Sequence, residues 1–153
     1  MTYTLERETF VPRPLREVFE FFSRAENLER ITPPWLGFRF EAPPPPQLGK
    51  GSRIAYRLRI HGIPISWVTE IDVWNPPHEF IDVQAKGPYR LWRHSHRFRA
   101  VQGGTRMEDT VSYALPFGPL GRLVHALLVS RDVSAIFDYR ERRIRELLGT
   151  TVD

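Results

Sequence analysis

The sequence predicts an α+β fold in which a seven-stranded, curved antiparallel sheet wraps around one long C-terminal helix, with two short helices after the first strand. Three observations predict it. From Phe38 to Leu115 apolar residues recur with a period near two, the alternation of strand side chains. Turn residues break that pattern at short intervals: Pro43 to Pro46 with Gly49 and Gly51, His61-Gly62, Asn75-Pro76-Pro77, Gly87-Pro88 and Gln102-Gly103-Gly104. Connections this short join antiparallel neighbours. After Pro119 the period becomes helical and stays so to Leu147.

Each element follows in order. Thr4 to Val11 reads as the opening strand, with Leu5 and Phe10 inward and Pro12 as its stop. Pro14 stands where a helix can begin, and Leu15, Val18, Phe19 and Phe22 then share one helical face as packing residues. Ser23-Arg24-Ala25-Glu26 has the form of a capping box, so a second short helix is expected there. It carries Leu28 and Ile31 inward and stops at Thr32-Pro33-Pro34, because proline disfavours helical geometry in the residue before it. Six further strands are expected at 37–42, 52–60, 64–74, 79–85, 88–99 and 105–115. The prolines at 43–46 read as a stiff connection rather than a polyproline ligand. In the last helix Leu120, Leu123, Val124, Leu127 and Leu128 form an apolar stripe continued by Val133, Ile136, Phe137, Ile144 and Leu147, with Gly149 as a plausible end. About 28 residues at about 1.5 Å each span roughly 42 Å, enough to cross the sheet.

Bulk properties bound the possibilities. The 153 residues form a single domain, 1–153, and 41% hydrophobic with 26% charged residues is an ordinary globular composition. The absence of cysteine excludes disulfides, thiolate metal sites and cysteine nucleophiles. No apolar h-region opens the chain, and no run approaches the roughly 18 apolar residues of a membrane span, so a cytoplasmic protein with at most transient membrane contact is expected. The net charge of +4 is almost all arginine, Lys50 and Lys86 being the only lysines. The arginines are dispersed and alternate with acids, as in the run from Arg140 to Glu146, which reads as a solvated surface and not a nucleic-acid footprint.

The period-two alternation assigns side chains to the interior. Strand 88–99 places Arg90, Trp92, His94, His96 and Phe98 inside; strand 105–115 places Met107, Asp109, Val111, Tyr113 and Leu115 there. Ile65, Trp67, Thr69, Ile71 and Val73 join them, with Ile54, Tyr56, Leu58 and Ile60. In 79–85 Phe80, Asp82 and Gln84 alternate with Ile81, Val83 and Ala85, and either face can point inward. The interior is thus apolar and aromatic with polar inserts, which must bond one another, water or a ligand. The candidate ligand-binding set is Tyr56, Trp67, Thr69, Asp82, Trp92, His94, His96, Asp109 and Tyr113. His96 with Asp109 is the candidate catalytic pair, an oriented base of the kind proton abstraction needs. His94-x-His96 with Asp109 also matches a facial metal triad, but no fourth ligand is evident; the set reads as a hydrogen-bonded cluster, with no metal and no cofactor expected. Trp35 and Phe117-Gly118-Pro119 border the pocket mouth, either as gates that can touch a membrane or as core plugs.

Three segments carry a family resemblance: Asn27-Leu28-Glu29-Arg30-Ile31-Thr32-Pro33-Pro34-Trp35-Leu36, Gly87-Pro88-Tyr89-Arg90-Leu91-Trp92-Arg93-His94-Ser95-His96-Arg97-Phe98, and Asp109-Thr110-Val111-Ser112-Tyr113-Ala114-Leu115-Pro116-Phe117-Gly118. With them the chain resembles, nearly end to end, the START-related superfamily of helix-grip proteins, the polyketide cyclase/dehydrase and lipid-transport (SRPBCC) group, and within it the small bacterial ligand-binding members. The resemblance implies a hydrophobic tunnel between the C-terminal helix and the sheet, and it transfers no catalytic residue. Three functions are therefore expected in order: binding or transport of a hydrophobic small molecule such as a lipid, quinone or polyketide-like compound; a cyclase, dehydratase or hydrolase using His96 and Asp109; and an interaction module with a filled core. Either a monomer or a homodimer is compatible with the sequence.

Overall fold

Strands that alternate in polarity must cover one face, and a single sheet with one long amphipathic helix does so by curling around it. A computed structural model describes residues 1–149, so positions 150–153 of the expected domain lie outside the described residues. The elements are β1 (Tyr3–Val11), α1 (Leu15–Phe22), α2 (Glu26–Arg30), a 3-10 turn (Pro34–Leu36), β2 (Arg39–Phe40), β3 (Arg53–Ile60), β4 (Ile63–Asn75), β5 (Glu79–Lys86), β6 (Leu91–Val101) and β7 (Gly104–Ala114). The C-terminal helix follows as α3 (Gly118–Val124), a π-helical turn (His125–Val129) and α4 (Ser130–Leu148), helical over 31 residues. Sheet order is β1-β7-β6-β5-β4-β3-β2 and every neighbouring pair is antiparallel. The chain crosses from one sheet edge to the other through α1 and α2, then meanders back until β7 pairs with β1.

Several details differ from expectation, each for a local reason. Strand 37–42 shrinks to two residues: Gly37, in the left-handed region at φ 56°, turns the chain out of the 3-10 turn, and the prolines from 43 onward have no N–H to extend a ladder. The capping box does not form; the Ser23 hydroxyl donates to Glu20 O (2.7 Å) at the end of α1, and α2 starts behind Ala25 without a side-chain cap. Phe10 points outward, because β1 buries Thr9 and Val11 and Phe10 has the opposite parity. A bulge at Asp72 shifts the register between Ile71 and Val73, so Trp74 turns inward in place of Val73 and packs against Phe19 and Phe80. Strand β6 begins only at Leu91. Arg90 is exposed, while the ring of Tyr89 packs inward against Trp67 and Trp92. The Gln84 amide fixes that turn by donating to Tyr89 O (2.8 Å) and accepting from Tyr89 N (3.0 Å), as a paired strand residue would. The ambiguous strand resolves with Phe80 and Asp82 inward.

The largest departure concerns the apolar stripe of the last helix. Leu120, Leu123, Val124, Leu127 and Leu128 are 40–67% exposed, because this part of the helix turns only Gly121 and the half-buried His125 and Val129 toward the fold. The stripe becomes a core element only from Val133 onward. Phe117 and Trp35 are exposed as well, so neither plugs the core. Among the described residues no helix is long and apolar enough to cross a membrane.

The main core forms where α1 lies on the sheet. Phe19 meets Trp74, Phe80 and Phe98 with ring centroids 5.1–6.0 Å apart in edge-on geometry. Truncating this ring leaves a cavity that neighbouring rings cannot close. Phe19→Ala is expected to lower the unfolding free energy by about 3–5 kcal/mol in urea titrations, whereas Phe10→Ala on the outer face stays within about 1 kcal/mol.

Candidate functional site

The curl of β3 to β6 and the crossing of α4 leave a cavity of about 180 Å³ between sheet and helix. Its walls come from the inward parity of the strands together with Ile136 and Phe137 of α4 and the α2 segment. Of the residues expected to bind ligand, Tyr56, Trp67, Thr69, Asp82, Trp92, His94 and His96 line the cavity. Asp109 and Tyr113 do not. Asp109 lies behind the imidazoles, and the Tyr113 hydroxyl turns to His125 Nε2 (2.8 Å), whose ring stacks on Tyr3 in a second core cluster.

One end of the cavity is polar. Asp82 of β5 stands opposite His94 in the register, and Asp109 of β7 stands opposite His96. The side chains pair diagonally all the same: His94 Nε2 lies 2.7 Å from Asp109 Oδ1 and His96 Nε2 lies 2.6 Å from Asp82 Oδ2. The expected His96–Asp109 pair is therefore exchanged for two diagonal pairs, His96 Nδ1 remaining 3.4 Å from Asp109 Oδ1. The imidazoles stack on each other with centroids 3.6 Å apart, and Phe80 stacks on His96.

The group that sequence reading missed is Arg140. It is 8% exposed, not part of a solvated run, and it packs over the rings of Phe22 and Phe137. Its Nη2 donates to Asp109 Oδ1 (3.4 Å) and to His96 Nδ1 (3.3 Å), while Nε is buried without a partner. A signal was present: the buried stripe of α4 runs Val133, Phe137, Arg140, Ile144, Leu148, so this arginine occupies a position that the helical period reserves for the core.

These contacts determine the charges. Burial raises the Asp109 carboxyl, but the Arg140 guanidinium and the His94 N–H overcome it and hold the group well below the usual carboxylate range. Asp82 is likewise raised by burial and lowered on balance by His96 and His94. Burial, reinforced by the neighbouring His96, pushes the His94 imidazolium down to about 4, so this ring is neutral at physiological pH. Arginine can only donate, so His96 Nδ1 is an acceptor and the ring proton sits on Nε2, bonded to Asp82. Beside the cluster, Trp67 Nε1 donates to Thr69 Oγ1 (3.0 Å), which also bonds the Tyr56 hydroxyl (3.1 Å), and burial drives that phenol far above its ordinary value.

Asp82, His94 and His96 each offer a ligand atom within 4.8 Å of the others, as a metal site would. The orientation does not suit one. Imidazole lone pairs lie in the ring planes, and two planes stacked 3.6 Å apart and tilted by 29° do not converge on a point about 2.0–2.1 Å from both nitrogens. A guanidinium beside His96 adds a repulsive charge. The geometry is that of a hydrogen-bonded cluster.

An antiparallel sheet curled around a C-terminal helix, with a partly polar cavity between them, defines a helix-grip domain. Residues 11–136 match the family described as polyketide cyclase / dehydrase and lipid transport, and the chain belongs to that family. No curated protein matches it in sequence. Among solved structures it is similar to protein Ms6760 from Mycobacterium smegmatis (19% identity, TM-score 0.68, covering 95% of this chain and 90% of that one). It is similar also to Zhui aromatase/cyclase from Streptomyces sp. R1128 (13%, 0.67, 96% of each chain) and to Ara h 8.0201 (17%, 0.62, 95% and 99%). These likenesses establish the fold.

Two predictions test the cluster. Arg140→Met strands the buried Asp109 carboxylate and should cost about 3–5 kcal/mol, while Arg140→Met with Asp109→Leu should recover most of it; urea titration of the four proteins closes the cycle. The second concerns pH. The His94 pKa falls from 6.5 in the unfolded chain to about 4 in the fold. Between these values the unfolded chain binds more protons, so stability rises with pH across the window and is lost, by roughly 3 kcal/mol, as pH falls from about 6.5 to about 4. The depressed Asp109 acts with the same sign only below its ordinary value of 3.8. His94→Gln should flatten the 4–6.5 limb and leave the steeper acid limb in place. His125, also lowered by burial, keeps a small residual slope.

Proposed function

We propose that this protein binds a small apolar or amphipathic molecule non-covalently in the cavity between sheet and C-terminal helix. The observation that carries the reading is the cavity itself. Rings of Tyr56, Trp67, Tyr89 and Trp92 wall it, and Asp82, His94, His96 and Arg140 form a connected polar cluster in the same wall. A site with a broad apolar wall and few convergent polar groups is suited to bind an oxygenated apolar ligand and orient it. Size narrows the class: about 180 Å³ is close to the roughly 150 Å³ cavity that is known to hold benzene, so the enclosed portion of a ligand is one or two rings, as in a quinone or an aromatic polyketide unit. No nucleic-acid partner is part of this reading.

A second reading is favoured by the oriented imidazole–carboxylate pairs. His96, held through Nε2 by Asp82 and through Nδ1 by Arg140, stands on the cavity wall, where a cyclase or dehydratase needs an acid–base group. Asp109 would act through His94 and Arg140 as a positioning residue rather than touch a substrate.

Binding is tested by titrating the protein with naphthalene, following the fluorescence of Trp67 and Trp92, alongside native mass spectrometry and organic extraction of gently purified protein. Saturable one-to-one binding, weakened at least tenfold by the cavity-filling Ile136→Trp, is expected. A protein that binds no apolar probe, or binds it equally well with the cavity filled, contradicts the reading.

A further inference from the structure

Two acceptors face each other at the polar end of the cavity. His94 spends its ring proton on Asp109, since Nε2 lies 2.7 Å from that carboxylate, which leaves Nδ1 as a bare lone pair. Asp82 Oδ2 lies 3.8 Å from that nitrogen, beyond hydrogen-bond reach. The proton on His96 Nε2 is spent on Asp82, and Arg140 Nη2 is directed at His96 and Asp109. No hydrogen bond of the cluster is made to His94 Nδ1, while the cluster's unpartnered donor, Arg140 Nε, belongs to another residue of the cavity wall. His94 and Asp82 both line the cavity and both are largely buried. Two carboxylates, Asp82 and Asp109, stand against one guanidinium, that of Arg140.

Resting on the binding reading, we infer that the cavity selects ligands by a hydrogen-bond donor: the ring of the ligand lies among the tryptophans, and its hydroxyl or ammonium group enters the gap between His94 Nδ1 and Asp82. An ammonium there can donate to both acceptors, and a hydroxyl can donate its one proton to His94 Nδ1. A carboxylate in the same place meets a carboxylate and an imidazole lone pair, and is excluded. The ligand class is therefore phenols, hydroxylated rings or arylalkylamines, in preference to aromatic or fatty acids. The hydroxyl and ammonium sources share this chemistry and differ in charge, which Asp82 alone distinguishes.

The experiment compares four ligands with one ring system at pH 7.5: naphthalene, 2-naphthol, 2-naphthylmethylamine and 2-naphthoate, each titrated calorimetrically into the 153-residue chain. The naphthol and the amine are expected to bind about tenfold or more tighter than naphthalene, and naphthoate more weakly than naphthalene. Asp82→Asn, checked for folding by circular dichroism, should abolish any advantage of the amine over the naphthol. Naphthalene binding with naphthoate equal to or tighter than naphthol overturns the inference while leaving the binding reading intact. Failure of all four to bind overturns the binding reading itself, and the inference with it. The comparison of the four ligands does not depend on the variant folding.

Discussion

The constraint on which the site depends is the buried Asp109 carboxylate. An ionised carboxylate with 5% side-chain exposure is tolerable only if charge and donors surround it, and no single strand neighbour can supply them. His94 approaches it along the sheet from β6, and Arg140 reaches it across the interior from α4. The pairing thus ties the middle of the sheet to the C-terminal helix at one depth and one rotation of that helix. Val133, Phe137, Ile144 and Leu148 would pack against the sheet at several small slips along the helix axis; a guanidinium directed at a carboxylate and an imidazole is far less forgiving.

The cavity adjoins this pairing. The Arg140 guanidinium lies over the rings of Phe22 and Phe137, and Arg140 shares the cavity wall with Tyr56 and Trp67. Well-packed interiors rarely keep such room, because voids forfeit dispersion contacts. The walls are aromatic: Trp67 meets Tyr89 and Trp92 edge-on, and Tyr89 and Trp92 are tilted against each other and pack on the Val133 and Phe137 cluster. The polar cluster and the aromatic wall therefore border one cavity.

Much of this was legible in the sequence. Strand parity placed Trp67, Thr69, His94, His96 and Met107 inside because period two is insensitive to where a strand begins. It failed wherever the parity changed. The bulge at Asp72 replaced Val73 by Trp74, and the turn before β6 exchanged Arg90 for Tyr89. Neither event leaves a mark in local composition, since each is decided by a partner strand. The histidine–carboxylate pairing was wrong for a related reason: register sets which backbones face, while side-chain reach sets which atoms meet, and here the diagonals are shorter. Arg140 was misread because its neighbours Glu141, Arg142 and Arg143 made a charged run, and composition outweighed the helical period that places position 140 among core residues. The early leucines of the helix were misread in the opposite sense, apolar character being taken for burial.

The protonation pattern bears on binding against catalysis. A general acid or base works best with a pKa near the working pH, and the His94 imidazolium is pushed far below it by burial and by the neighbouring ring. His94 therefore serves as a fixed acceptor. His96 is saturated on both nitrogens, giving a proton to Asp82 and taking a hydrogen bond from Arg140, so a substrate could recruit it only by displacing one of these partners. Of the two imidazoles, what remains free is the acceptor nitrogen of His94, Nδ1. An enzyme on this frame would have to break the His96–Asp82 or His96–Arg140 contact at each turnover and disturb the pairing that positions the helix. That coupling is the physical reason to read the site first as a receptor for a small ring and only then as a catalyst.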